Sequence, residues 1–261
     1  MPRYAIRGGD VALVCDHSVP PEQLYKVEWR KGDTKIFQYI KGRKPPFIYH
    51  PMSGAELNKT NSNERQVQLS HLDFSASGSY SCTVSMETPI FSKDSDSKDL
   101  TVIEPQDDNP TIVFDKDTYE IGDILQANCT TAPSKPPPHI TWLINNEKVP
   151  DHLTKSFSPS GVIHGHGYFD TRSYSVKQLA IEVSELHVGD DGTLTLMCLS
   201  TIPGYVNSQE SYADRRSQSV QIDIEMTEGP VEAVADEMSS ARWYLSSTIC
   251  LALSLLTLTY L

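Results

Sequence analysis

Apolar side chains recur in this chain mostly at every second residue. In "DVALVC" Val11, Leu13 and Cys15 share a face, and in "YKVEWR" Tyr25, Val27 and Trp29 alternate with Lys26, Glu28 and Arg30. Val67 and Leu69 pair in the same way, as do Tyr80, Cys82 and Val84. A period of two belongs to half-buried strands, apolar toward a core and polar toward water. The turn signals "GGD", "KGD", "SASG" and "IGD" separate these runs, and no amphipathic helical pattern interrupts them. The pattern predicts an all-β chain built of sandwiches.

The spacing of cysteine and tryptophan sharpens that prediction. Cys15 is followed 14 residues later by Trp29 and then by Cys82; Cys129 is followed 13 residues later by Trp142 and then by Cys198. Cys, Trp and Cys on alternating strands mark an immunoglobulin sandwich, whose disulfide joins the two sheets beneath the indole. We therefore expect two tandem immunoglobulin-like β-sandwiches with disulfides Cys15–Cys82 and Cys129–Cys198. The first, variable-type, covers residues 1–103; "EPQDDNP" (104–110) is the linker; the second, divergent and constant-like, covers 111–226. An acidic stalk (227–242) and an apolar tail (243–261) follow. Tyr80, two residues before Cys82, is placed to form a tyrosine corner. The second domain has Leu196 at the matching position, so its corner hydrogen bond is expected to be absent. Residues 151–173 lack alternation and read as a long loop or an irregular edge.

Charge and cysteine usage constrain partner and compartment. The formal net charge of −12 argues against nucleic acid as a partner. Two widely spaced cysteine pairs without CxxC or interleaved histidines read as structural disulfides in an oxidising compartment, not as a zinc site. Asn58-Lys-Thr and Asn128-Cys-Thr are sequons that fit an extracellular location. Because Cys129 must face inward, Asn128 faces outward on the same strand. Against this, "MPRYAIRGGDVALVC" holds no apolar signal-peptide core. Either the protein is cytosolic or the sequence starts downstream of its signal; the paired cysteines favour the second.

The tail "WYLSSTICLALSLLTLTYL" has a strongly apolar core of 13 residues, Ile249 to Leu261, against the roughly 20 needed to span a bilayer. Small residues Ser239, Ser240 and Ala241, a short spacer and a terminal apolar run have the layout of a GPI-attachment signal, with Ser239 and Ser240 as candidate attachment sites. The alternative is a short membrane segment retained without cleavage. Under the GPI reading, Cys250 is lost from the mature protein, and the protein sits on the extracellular face of the plasma membrane.

No GxSxG, GxGxxG, P-loop or HExxH motif is present, so neither an enzyme nor a cofactor is expected. "HGHG" (164–167) reads as a polar loop without the further ligands a metal requires. One stretch stands out. Lys26, Arg30, Lys31, Lys35, Lys41, Arg43 and Lys44 face only Glu28 and Asp33, a local charge of +5 on an acidic chain. Lys26, Glu28 and Arg30 lie on the solvent side of their strand. The neighbouring "IFQYI" (36–40) exposes either Phe37 and Tyr39 or Ile36, Gln38 and Ile40. Charge that steers an encounter beside apolar anchors that hold it suits a heterophilic interface. The candidate contacts are Lys26, Glu28, Arg30, Phe37 and Tyr39, with Met86, Ile90 and Phe91 of "METPIF". A sulfated matrix polysaccharide such as heparan sulfate is the competing ligand for the same stretch.

"LYKVEWRKGDTKIFQYI", the following "PPF" and "LDFSASGSYSCTVSMETPIF" resemble the first immunoglobulin domain of the Beaten path (Beat) proteins of insects. "YEIGDILQANCTTAPSKPPPHITWLINNEKV" resembles their second domain. The resemblance spans residues 4 to 226. It implies a neuronal recognition protein of axon guidance that binds Sidestep-family immunoglobulin receptors on an opposing cell through its first domain.

Overall fold

The computed structural model describes residues 1–225 except Thr88, Ile90, 158–161 and 165–170, with backbone alone at 162–164 and 171. The described chain is all-β, with three single-turn 3₁₀ segments. In the first domain the strands are β1 (Tyr4–Ile6), β2 (Val11–Val14), β3 (Leu24–Lys31), β4 (Thr34–Ile40), β5 (Phe47–Tyr49), β6 (Glu56–Asn58), β7 (Gln66–Ser70), β8 (Gly78–Met86), β9 (Phe91–Asp94) and β10 (Lys98–Ile103). One sheet has the order β1-β10-β8-β3-β4-β5, with β9 also paired to β8; the other has the order β2-β7-β6.

The core between these sheets is filled by the inward positions of the alternating runs. Val11, Leu13, Val27, Val67 and Leu69 are buried around the Cys15–Cys82 disulfide and Trp29. Tyr80 is 1% exposed and donates its hydroxyl to the Ala76 carbonyl oxygen at 2.6 Å. Burial pushes its hydroxyl up to about 12, so it stays a donor at any physiological pH. Tyr80→Phe removes that donor and leaves a buried carbonyl short of a partner. We expect it to cost about 1–2 kcal/mol in chemical denaturation; an unchanged midpoint would show that this bond carries no stability.

Two irregularities move side chains off the simple alternation. The β3–β8 register shifts between Leu24 and Lys26. Leu24 is therefore buried at 3%, whereas Tyr25, expected inward, is 43% exposed. The β3–β4 register shifts between Trp29 and Arg30, which sets Phe37 opposite Trp29 and Lys35 opposite Arg30. Ile36 falls in the shift, and both it and Phe37 are fully buried.

In the second domain the strands are β11 (Thr111–Phe114), β12 (Thr118–Glu120), β13 (Ile124–Thr130), β14 (His139–Ile144), β15 (Glu147–Lys148), β16 (Thr154–Phe157), β17 (Val162–His164), β18 (Thr171–Ser173), β19 (Val176–Glu182), β20 (Thr193–Ile202) and β21 (Asp214–Glu225). The sheets are β11-β13-β19-β16 and β12-β21-β20-β14-β15, with β17 and β18 forming a separate pair. The stretch 151–173 thus contains three short strands. Trp142 and Cys129–Cys198 sit in the core, and Leu196 is fully buried there. The stalk and tail, with Ser239, Ser240 and Cys250, lie outside the described residues, as do the side chains of "HGHG".

The junction between the domains is tied by polar contacts. Gln106, 1% exposed, hydrogen-bonds Asp214 through its backbone N–H (2.9 Å) and its side chain (2.8 Å), and accepts from Ser200 Oγ at 2.5 Å. Glu104 pairs with Arg7 of the first domain and Arg172 of the second. Lys135 Nζ lies 4.0 Å from the centroid of the Phe74 ring, a cation–π contact that spans the two domains.

Candidate recognition face of the first domain

The outer face of the larger first-domain sheet is set by the strands behind it. Val27 and Trp29 point into the core, so Lys26, Glu28 and Arg30 point away from it. Ser85, Thr83 and Ser81 of β8 lie opposite them in register on one side, and Ile40, Gln38 and Lys35 of β4 on the other. The face is therefore a band of hydroxyls beside a band of cations.

Glu28 organises the cationic band. Its side chain is only 5% exposed although it stands on the solvent side, because Lys26, Arg30, Lys35 and Gln38 close over it. Lys35 Nζ is 3.0 Å and Arg30 Nη2 2.9 Å from its oxygens, Lys26 Nζ is 3.6 Å away, and Gln38 Nε2 donates at 2.6 Å. Burial alone would raise the carboxyl, but hydrogen bonds from Lys35, Gln38 and Arg30 outweigh it and bring the value down to about 2. One carboxylate thus faces three cations, leaving a fixed excess of two positive charges. The cationic side chains remain 31% (Lys26), 43% (Arg30) and 36% (Lys35) exposed, within reach of a partner.

Three other cations of the basic stretch are engaged away from Glu28. Lys31 hydrogen-bonds the Ser75 carbonyl, Lys41 bonds the Glu22 carbonyl and pairs with Glu87, and Arg43 bonds the Pro45 carbonyl. The sequence charge of +5 is therefore not the charge of one surface.

The aromatic anchors expected beside the cations are not on this face. Phe37 is fully buried and Tyr39 packs against the core. The reason is β5: Phe47 and Tyr49 stand opposite Tyr39 and Phe37, with Phe37 5.9 Å from Phe47 and 5.4 Å from Tyr49 between ring centroids. The apolar side chains facing out are Ile40 and, opposite Gln38 on β5, Ile48, both half-buried. Met86 and Phe91 pair across β8 and β9 on the inward side and line a cleft of about 360 Å³ with Cys15, His17 and Val84. Phe91 is 55% exposed at the rim of that cleft. Ile90 lies outside the described residues. Gln38, one of the two alternatives for outward positions of "IFQYI", faces Glu28 in regular register, whereas Lys35 is brought opposite Arg30 by the register shift at Trp29/Arg30, which alternation does not reveal.

The sequons are placed differently. Asn58 ends β6, and its side-chain oxygen accepts from the N–H groups of Thr60 and Asn61 at 3.0 and 3.2 Å. Asn128 is exposed in the middle of β13, opposite Val113 of β11, itself 65% exposed.

The immunoglobulin V-set domain family matches residues 2–103, and the CD80-like C2-set immunoglobulin domain family matches residues 110–166. The second match stops before the half that holds Leu196 and Cys198. A search of curated proteins gives no match. Among solved structures, the chain is similar to Rst D1-D2, at 17% identity over 85% of this chain and 94% of that one, with a TM-score of 0.40. It is also similar to a chain in the complex of the mouse coronavirus receptor-binding domain with its murine receptor, at 15% identity over 86% and 96%, with a TM-score of 0.49. This chain is an immunoglobulin-superfamily protein, a V-set domain followed by a C2-set domain.

Proposed function

We propose that this protein is a cell-surface recognition protein of the axon-guidance type, which binds a Sidestep-family immunoglobulin receptor on an opposing cell. Binding runs through the outer face of β3, β4, β8 and β9 in the first domain. The observation that carries the reading is the cluster of Lys26, Arg30 and Lys35 over Glu28, a charged, pre-shaped surface whose geometry is fixed before a partner arrives. The resemblance of residues 4 to 226 to the Beaten path proteins supplies the class of partner. The sequons at Asn58 and Asn128 and the GPI-signal layout of the tail support a place on the outside of the cell.

Cells displaying the full chain, probed with soluble Sidestep-family ectodomains, test this reading. The pair Lys26→Glu and Arg30→Glu should lower binding by about tenfold or more. Full retention of binding by that double variant would remove the face from the mechanism.

A further inference from the structure

Resting on the recognition reading above, we infer that the ligand of this face is a protein surface that brings one or two carboxylates to Lys26, Arg30 and Lys35, and that sulfated polysaccharide is not its ligand.

The local charge is the first ground. Three cations hold one sequestered carboxylate, and Glu28 already takes hydrogen bonds from Lys35, Arg30 and Gln38. Water meets the excess of two positive charges in the free protein, and a partner's carboxylates can take its place. Because the cations are already gathered, a partner carboxylate meets them without the ordering cost of loose surface lysines. Arg30 can also present a planar fork to a carboxylate.

Geometry gives the second. A polyanionic chain is held by cations spread along a path, yet Lys31, Lys41 and Arg43 are turned onto carbonyls or acids of their own domain. The three cations gathered on Glu28 form a compact group. Beside it, Thr83 Oγ1 donates to Asp94 at 2.6 Å and Ser85 bonds Ser92 at 2.8 Å, a short-side-chain floor that a protein can pack against. On the other flank Ile40 and Ile48 offer apolar contact.

The surrounding charge is the third. Asp94 stands on the same face and opposes a sulfate chain running across it. Residues 104–225 carry 18 Asp and Glu against 8 Lys and Arg, which repel a polyanion extending past the first domain. A protein partner can alternate its charges to suit; a uniformly sulfated chain cannot.

The test is a charge swap on cells displaying the full chain, with heparin-agarose and heparinase as the second arm. The probe is whichever Sidestep-family ectodomain binds the wild type. Arg30→Glu with Lys35→Glu should weaken that binding by about tenfold or more, whereas Lys148→Glu, the same reversal on the second domain, should leave it within about twofold. Reversing acidic residues of the receptor to Lys should weaken wild-type binding, and one such variant should regain binding to the Glu variant. Heparinase should have no effect. If the receptor binds and the Glu pair leaves it unchanged, the carboxylate inference fails together with this face as the binding site, while receptor recognition by the protein itself stands. If no immunoglobulin receptor binds and heparinase strips a heparin-retained protein from the cell surface, both fail.

Discussion

Glu28→Ala is expected to destabilise the first domain by about 3 kcal/mol, more than any other single change on its outer face. Truncation leaves three cations crowded without their counter-ion and the Gln38 amide, 9% exposed, without its acceptor. Removing one member of a buried ionic group costs about 3–5 kcal/mol when the remainder is fully enclosed. Here the cations are roughly one-third exposed and water relieves part of that, which sets the lower figure. The carboxyl value gives the same scale: a fall from 4.5 to about 2 corresponds to about 3 kcal/mol of preference for the ionised form in the folded state. The sign follows from linkage. The folded value is depressed, so the stabilisation is complete above the unfolded value of 4.5 and is lost as pH falls through about 2. Glu28→Gln, which keeps the shape and removes the charge, should lack this slope. Hydrogen exchange of the β3 and β4 amides reads the effect within the first domain. The gap between wild type and Glu28→Gln should be wide at about pH 7 and much narrower at about pH 3. A gap of equal size at both would show that Glu28 acts by shape alone.

The same residue shows what was legible in the sequence. Alternation along β2, β7 and β8 gave the buried sets correctly, since Val11, Leu13, Val67, Leu69, Tyr80 and Val84 are all in the core. Alternation carries no mark of a bulge, and two register shifts decide the face. One exposes Tyr25 and buries Leu24. The other buries Ile36 and Phe37 together, so neither side of the simple alternative for "IFQYI" holds intact. The pairing of β5 with β4 is a contact made after a long turn, and it is what covers Phe37 and Tyr39 with Phe47 and Tyr49. Long cationic side chains are less legible still. Within one basic stretch Lys26, Arg30 and Lys35 meet at Glu28 whereas Lys31, Lys41 and Arg43 do not, and the choice depends on which carbonyls and carboxylates the fold brings near. Cysteine and tryptophan spacing, by contrast, reports an inter-sheet constraint directly, and the family matches in both domains agree with it.

Gly54→Ala should have the largest effect at the turn below the tyrosine corner, on the order of 4 kcal/mol. Gly54 has φ +83, and a Cβ there would lie 2.2 Å from the Ala76 backbone nitrogen and 2.5 Å from the Ser75 carbonyl carbon. Both neighbours are main chain, so no rotamer change relieves the overlap. The left-handed backbone adds about 1–2 kcal/mol for a residue with a side chain, and overpacking adds about 1–3 kcal/mol. The displaced turn is also the one that holds the tyrosine corner. The Asp73 N–H donates to the Gly54 carbonyl at 2.7 Å, the Ala76 N–H donates to the Asp73 carbonyl, and the Ala76 carbonyl receives the Tyr80 hydroxyl. Pushing Ala76 away therefore loosens β8 beside Cys82, from which Thr83 and Ser85 reach the outer face. Gly42→Ala separates the causes: its φ is +78, yet a Cβ there meets nothing within 4 Å. That variant should lose only about 1 kcal/mol. Hydrogen exchange should show Gly54→Ala losing protection in β7 and β8 while β20 of the second domain keeps its own. Equal losses in the two alanine variants would mean that the turn around Ala76 yields freely, and that backbone conformation, not the close approach, is what Gly54 provides.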